Sequence, residues 1–146
     1  MHAEYLRTCY LHNLLVQPDA FSIDGTSVDI SRIETPLYVV GAEKDHIVPW
    51  RGAYRTTQVV SGEARFALTS GGHIAGAVNP PGYPKAAFRT GAEHPSDPDA
   101  WLAGSEPVQG SWWEDWAEWA TARSGERGRP PTLPTGTPAP GEYVLG

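Results

Sequence analysis

The spacing of apolar residues changes twice in the first forty positions. Residues 3–15 carry apolar side chains at helical spacing, which predicts an amphipathic helix ended by Pro18. Apolar and polar residues then alternate over residues 21–30 around Asp24-Gly25, a dipeptide typical of hairpin turns. Residues 36–40, PLYVV, form a short continuous apolar run, which is more typical of a buried parallel strand than of an edge strand. This part of the chain therefore predicts a helix, a hairpin and a strand.

A helix and a second strand follow this run. Pro49 suits the first turn of a helix and Gly62 its end. The predicted inner face of that helix consists of Trp50, Ala53, Tyr54, Thr57 and Val60. Residues 65–69, RFALT, read as the next strand. The order strand, helix, strand predicts a parallel crossover in an α/β sheet, where ligands lie beyond the carboxyl ends of the strands.

Two further helices are predicted in the second half. Asp97 is the expected cap of the first, with Pro98 in its first turn and Gly104 at its end. SWWE at residues 111–114 has the capping-box pattern, in which the serine side chain accepts from the backbone N–H of the glutamate. The helix is expected to end at Gly125, with Trp112, Trp116, Trp119 and Ala120 on one face. Aromatic residues at this spacing usually pack in a core, so docking on the sheet is favoured over a substrate-stacking role.

The last residues are rich in proline. Residues 126–146 are predicted to form an extended tail, held at its end by Tyr143 and Val144.

Composition limits the class of protein. The 146 residues suffice for one domain with a core. A net charge of −6 argues against a nucleic-acid partner, and no apolar run is long enough to span a bilayer. The N-terminus lacks the long apolar stretch of a signal peptide, and the single cysteine fits a reducing compartment.

Two ionisable residues, Asp45 and His73, follow the two predicted parallel strands. Each lies in a loop that contains glycine, at the edge of the sheet where ligands bind. A histidine that activates a nucleophile needs an acceptor on its other ring nitrogen, which an aspartate supplies. Either residue alone could be a helix cap or a structural histidine. Their joint placement predicts a catalytic pair, and the order acid then histidine is that of α/β-hydrolases.

A nucleophile is the missing third member of this arrangement. The chain contains no G-x-S-x-G or G-x-C-x-G motif, and Cys9 lies within a predicted helix without the strand and glycines that expose a nucleophile. His2, His12 and His94 show no metal-ligand spacing, and His46 is interpreted as structural. We therefore expect the C-terminal piece of a longer enzyme.

Four segments carry a resemblance to a known family: GAEKDHIVPW, GGHIAGAVNPP, SWWEDWAEWATARSG and PAPGEYV. They closely resemble the C-terminal portion of the polyhydroxyalkanoate synthases, which polymerise 3-hydroxyacyl groups. MHAEYLRTCYLHN is similar to the family segment in which the cap region returns to the catalytic core. The resemblance covers essentially the whole chain. One departure is local: the family usually has a KRSYWTN-like strand where this chain has KAAFRTG.

The resemblance implies an α/β fold that is the C-terminal part of an α/β-hydrolase, with an incomplete sheet. It divides the chain into the end of the cap (1–20), the catalytic core (21–125) and the tail (126–146). The implied activity is acyl transfer from (R)-3-hydroxyacyl-CoA to a growing polyester. His73 matches the histidine that activates a cysteine thiol, and Asp45 matches the aspartate, which assists by activating the substrate hydroxyl.

The resemblance also implies which cofactors, subunits and cellular location to expect. The enzyme needs no cofactor and no metal, and the coenzyme A thioester is its substrate. The tail is similar to that of the short-chain type, which needs no second subunit. A homodimer of the full-length enzyme and a cytoplasmic location at polyester granules are expected. The isolated chain is expected to be inactive. The alternatives are a serine α/β-hydrolase (an esterase or a depolymerase) and a non-catalytic fragment.

Overall fold

A short helix and a hairpin occupy the N-terminal part of the structure, a computed structural model that describes residues 1–132 and 136–145. Helix α1, His2–Tyr5, continues as a π-helical segment, Leu6–Leu11. The helical stretch stops well before Pro18 because Asn13 adopts a left-handed backbone conformation (φ 48°), which asparagine tolerates. Of the predicted apolar face, Leu6 and Tyr10 are exposed whereas Cys9 and Leu14 are half-buried, so the described residues cover that face only in part.

The predicted hairpin is confirmed. Strand β1, Phe21–Ile23, pairs antiparallel with β2, Thr26–Val28. Asp24 and Gly25 both have positive φ angles, 48° and 77°. Two successive positive φ angles match the twist of the flanking strands, which explains the Asp-Gly turn.

Four strands form the main sheet, in the order β3-β4-β5-β6. Their bounds are β3, Leu37–Ala42; β4, Ala64–Thr69; β5, Ala87–Thr90; and β6, Glu106–Gln109. Strands β3 and β4 are parallel, as predicted, whereas β5 and β6 are added antiparallel. The sheet is therefore mixed, and the expectation of parallel strands holds only for its first pair. The pattern did not predict β6, because Pro107 cannot donate to a strand ladder and is tolerated only at an edge such as this one.

One face of the sheet carries the aromatic core. Alternation along β4 directs Phe66 and Leu68 to this face, where they pack with Trp50, Tyr54 and Trp101. Phe66 is fully buried, and its ring centroid lies 4.8 Å from that of Trp101 and 5.2 Å from that of Tyr54, both edge to face. This cluster packs the sheet against the helices that contribute Trp50, Tyr54 and Trp101.

Those helices are α2, Trp50–Tyr54, and α4, Pro98–Gly104, and a further short helix, α3, Thr56–Val59, follows α2. The single helix predicted after Pro49 is thus broken in two. The hydroxyl of Thr57 donates to the carbonyl of Tyr54 at the break, and the β-branched residues that follow are weak helix formers. Asp97 caps α4 as predicted, through the backbone N–H of Asp99.

Helix α5, Trp112–Arg123, covers the other face. Ser111 caps it, but its hydroxyl accepts from the N–H of Trp113 rather than from that of Glu114. Trp112 and Trp119 are half-buried, whereas Trp116 is 47% exposed, so the predicted tryptophan face is only partly covered. At the end of the chain Tyr143 and Val144 are exposed and do not hold the tail, of which residues 133–135 and 146 lie outside the description.

A half-buried carboxylate links α5 to both parallel strands. Asp115 accepts hydrogen bonds from the hydroxyl of Tyr38 on β3 (2.6 Å) and from Nε of Arg65 on β4 (2.7 Å). Burial by itself would raise the pKa of Asp115, but the bonds from Arg65 and Tyr38 lower it. Burial and the adjacent carboxylate raise the pKa of Tyr38. Asp115 therefore stays ionised and fixes the position of the helix.

Replacing Asp115 by alanine is expected to lower the free energy of unfolding by about 1–3 kcal/mol, because Arg65 and Tyr38 lose their shared acceptor. Urea unfolding of the chain followed by tryptophan fluorescence measures this. Glu118→Ala, at an exposed position of the same helix, is the matched control. Equal effects of the two substitutions would contradict the role given to Asp115.

Candidate active site

The loops that follow β3 and β4 leave the sheet side by side. Ladder-like hydrogen bonds continue beyond the strands: the N–H of Glu43 donates to Thr69 O (2.9 Å) and that of Lys44 to Gly71 O (3.0 Å). Asp45 lies at the end of the first loop segment and His73 in the second. The parallel pairing of the strands thus brings the two predicted site residues to one edge of the sheet.

The carboxylate of Asp45 is held on both oxygens. Its Oδ1 accepts the backbone N–H groups of Ile47 and Val48, at 2.8 and 2.9 Å. Its Oδ2 lies 2.9 Å from Nδ1 of His73. The hydrogen bond from Val48 is the main cause that lowers the pKa of Asp45 to about 2; burial opposes the shift, and His73 and Ile47 add to it. Asp45 is therefore ionised at any ordinary pH.

The hydrogen bond to Asp45 fixes the tautomer of His73. An ionised carboxylate only accepts, so Nδ1 of a neutral His73 must carry the proton and Nε2 the lone pair. No group among residues 1–132 and 136–145 hydrogen bonds to Nε2, and the His73 side chain is 42% exposed. The imidazole is thus oriented as a base that can accept a proton from a group outside the described residues.

The histidine loop, residues 70–79, makes a tight turn around His73. Backbone hydrogen bonds join Gly76 N to Gly72 O (2.7 Å) and Val78 N to Ile74 O (2.8 Å). Gly76 is buried against the ends of both parallel strands: a Cβ there would lie 2.7 Å from the Cβ of Ala42 and 2.9 Å from Cγ2 of Thr69. No larger residue fits at this position without displacing the loop, which explains the last glycine of GGHIAG.

Contacts from α5 to this loop were not predicted. The indole N–H of Trp112 donates to Gly76 O at 2.9 Å, and that of Trp113 donates to Ala77 O at 3.0 Å. The hydroxyl of Ser111 donates to Asn79 O. The only signal in the sequence was that two conspicuous motifs, GGHIAGAVN and SWW, occur in one chain, and neither motif shows which atoms meet.

Other candidate residues remain apart from the pair. Cys9 lies in the π-helical segment, partly exposed, with the Thr8 hydroxyl 3.8 Å from its sulfur. None of the hydrogen bonds in the described part of the chain joins it to Asp45 or His73. Within residues 1–132 and 136–145 there is no group of three or more side chains able to hold a metal ion.

The geometry defines a mixed α/β structure with an Asp–His pair at the ends of adjacent parallel strands. Comparison with characterised proteins finds poly(3-hydroxyalkanoate) polymerases. The chain is 40% identical to the polymerase subunit PhaC of Cupriavidus necator over an alignment of 146 positions that covers 96% of the chain and 25% of that protein. It is 41% identical to polymerase 2 of Ectopseudomonas oleovorans over 91% of the chain and 25% of that protein. Identity to the PhaC subunit of Rhizobium etli is 36%, over 99% of the chain and 23% of that protein.

These similarities confirm the resemblance seen in the motifs: the chain is homologous to a segment of the poly(3-hydroxyalkanoate) polymerases. It spans about a quarter of the length of these relatives. No family model matches the chain. Among the described helices, none combines the length and the apolar character needed to cross a bilayer.

Proposed function

We propose that this chain is the C-terminal portion of a polyhydroxyalkanoate synthase and supplies the histidine base and the aspartate of a Cys-His-Asp triad. The observation that carries the proposal is the 2.9 Å hydrogen bond between Asp45 and His73, in a segment homologous to polymerases over nearly its full length. The reaction is acyl transfer from (R)-3-hydroxyacyl-CoA to a growing polyester, with release of coenzyme A.

The parallel pair β3 and β4 supports a placement within an α/β-hydrolase core. In the described residues β3 pairs only with β4, so its other edge is free for further strands of the parent enzyme. Such strands would also have to carry the nucleophile, because the site described here has none. Residues 1–20 would then be the end of the cap, 21–125 the C-terminal part of the core and 126–146 the tail.

The pair suits both half-reactions of polymerisation. In acylation, Nε2 of His73 takes the proton of the cysteine thiol, the thiolate attacks the thioester carbonyl, and the carbon–sulfur bond to coenzyme A breaks. Coenzyme A leaves with the proton that His73 returns. In elongation, the 3-hydroxyl of another substrate molecule gives its proton to Nε2 while its oxygen attacks the acyl-enzyme. An ester bond forms, the carbon–sulfur bond of the acyl-enzyme breaks, and the cysteine sulfur recovers the proton. The lengthened chain, now a coenzyme A thioester, acylates the cysteine again as in the first half-reaction.

The geometry favours an indirect role for Asp45 over activation of the substrate hydroxyl. Both of its oxygens are already engaged, and only 9% of its side chain is exposed. A carboxylate with a pKa of about 2 is also a weak base. We therefore assign Asp45 to orienting His73 and stabilising the imidazolium that forms when His73 accepts a proton.

The same proposal includes the substrate, oligomeric state and location of the enzyme. Its substrate is the coenzyme A thioester and no cofactor is assigned. Homodimerisation of the full-length chain, a cytoplasmic location, association with polyester granules and the short-chain, self-sufficient type follow from the family resemblance.

The test compares the 146-residue chain with the full-length enzyme from which it comes. The full-length enzyme is expected to release coenzyme A from (R)-3-hydroxybutyryl-CoA and to form insoluble polyester, whereas the chain alone releases none, because it lacks the nucleophile. A serine hydrolase would instead cleave 3-hydroxybutyrate esters and form no polymer. That outcome, or coenzyme A release by the chain alone, would refute the proposal.

A further inference from the structure

Three consecutive residues at the start of α5 donate hydrogen bonds to the histidine loop. Ser111, Trp112 and Trp113 donate to the carbonyls of residues 79, 76 and 77, respectively. The two indole bonds are of normal length, 2.9 and 3.0 Å. They reach the carbonyls that lie just after the turn containing His73, so they fix the backbone next to the base and do not touch the imidazole itself.

The held carbonyls are coupled to His73 through the backbone of the turn. Gly76 N is bonded to Gly72 O and Val78 N to Ile74 O, so residues on either side of His73 are tied to residues 76–78. Gly76 cannot shift toward the sheet, because it already lies against Ala42 and Thr69. A loss of the indole bonds would therefore free the loop to move away from the sheet, taking His73 away from Asp45.

Helix α5 is itself anchored to the strands that position the pair. Asp115 binds Tyr38 of β3 and Arg65 of β4, and these strands lead to Asp45 and His73, respectively. The ring of Trp112 also stacks on that of Tyr38, with centroids 6.1 Å apart and an interplanar angle of 27°. One helix thus contacts both strands and the loop that place Asp45 and His73.

From these contacts we infer that Trp112 and Trp113 are positioning residues for His73, acting through the carbonyls of Gly76 and Ala77. The inference rests on the proposed function of His73 as the base of the triad. It gives the tryptophans a role in the rate of thiol activation in addition to packing. A proton transfer depends steeply on geometry, and a displacement of about 1 Å can cost on the order of 100-fold in rate.

Phenylalanine separates the hydrogen bonds from the packing, because it keeps an aromatic ring and removes only the N–H and part of the ring area. The variants are Trp112→Phe, Trp113→Phe and the double substitution, made in the full-length enzyme. Trp116→Phe is the matched control: it lies on the same helix, is 47% exposed, and its indole makes no hydrogen bond among the described residues.

Rapid-quench measurement of the first release of coenzyme A from (R)-3-hydroxybutyryl-CoA distinguishes positioning from folding. The burst amplitude counts competent sites, and the burst rate constant reports the acylation step. The double variant is expected to keep the wild-type amplitude and KM while its rate constant falls by about 10- to 100-fold. Each single variant is expected to show a smaller fall, and Trp116→Phe none.

Three results would overturn the inference: an unchanged rate constant in the double variant, a fall in amplitude alone, or an equal slowing by Trp116→Phe. If the double variant does not fold, the single variants decide in the same way, since each removes one N–H. His73→Ala in this assay separates the two proposals. A wild-type burst in His73→Ala would refute the proposed function. A lost burst in His73→Ala with a normal burst in the tryptophan variants would refute only the positioning role.

Discussion

His73→Ala in the full-length enzyme is expected to lower the steady rate of coenzyme A release by about 10²–10⁴-fold, the usual contribution of general-base catalysis. The reason lies in the position of Nε2, the nitrogen left free when Nδ1 donates to Asp45. Without the imidazole, the thiol and the substrate hydroxyl must lose their protons to water. Coenzyme A release is followed with a thiol reagent, and polymer is weighed after extraction.

Two other histidines serve as controls for this substitution. His46 is adjacent to Asp45, and His12 lies beyond the N-terminal helical segment; both are exposed. His46→Ala and His12→Ala are expected to keep most of the activity. If either substitution lowered the rate as much as His73→Ala, the assignment of the base would be wrong.

Asp45→Asn is expected to lower acylation and elongation together, by on the order of 10²–10⁴-fold, because it changes the tautomer of His73. The amide oxygen can keep the bonds from Ile47 and Val48 N–H, which directs the amide NH₂ group at Nδ1 of His73. Nδ1 must then accept, so the proton moves to Nε2 and the lone pair needed for the base is lost.

Comparison of the first turnover with steady polymer growth tests this role for Asp45. Glu43→Gln, which neutralises an exposed acid two residues earlier in the same loop, is the matched control and is expected to leave both phases unchanged. If Asp45→Asn slowed growth but left the first turnover intact, Asp45 would act on the substrate hydroxyl directly, and the orienting role would be refuted.

The strand pattern was sufficient to predict that Asp45 and His73 lie within hydrogen-bonding distance of each other. An apolar run followed by a loop that contains glycine and an ionisable residue occurs twice, and parallel pairing places the carboxyl ends of the two strands at one edge of the sheet. Short sequence motifs also predicted the Asp24-Gly25 turn and the helix cap at Asp97, because both features depend on the backbone preferences of a few adjacent residues.

The pattern of apolar and polar residues did not predict contacts between residues that are distant in sequence. Trp112 and Gly76 are far apart in sequence, and the helical spacing of the tryptophans predicted packing on the sheet, not indole donors to a loop. The antiparallel strand β6 was missed because Pro107 disfavours an interior strand. The N-terminal helix was predicted too long because the apolar spacing continues past Asn13, whose left-handed backbone ends the helical stretch.

The most direct test of the triad is to trap the acyl-enzyme of the full-length protein and identify the modified residue. The enzyme is mixed with (R)-3-hydroxybutyryl-CoA, quenched in acid at increasing times and digested, and the acylated peptide is found by mass spectrometry. We expect the acyl group on a cysteine outside this 146-residue segment, with Cys9 unmodified, and we expect its formation to slow by at least about 100-fold in His73→Ala. An acyl group on Cys9 or on a serine, or one that forms at the wild-type rate in His73→Ala, would contradict the assignment.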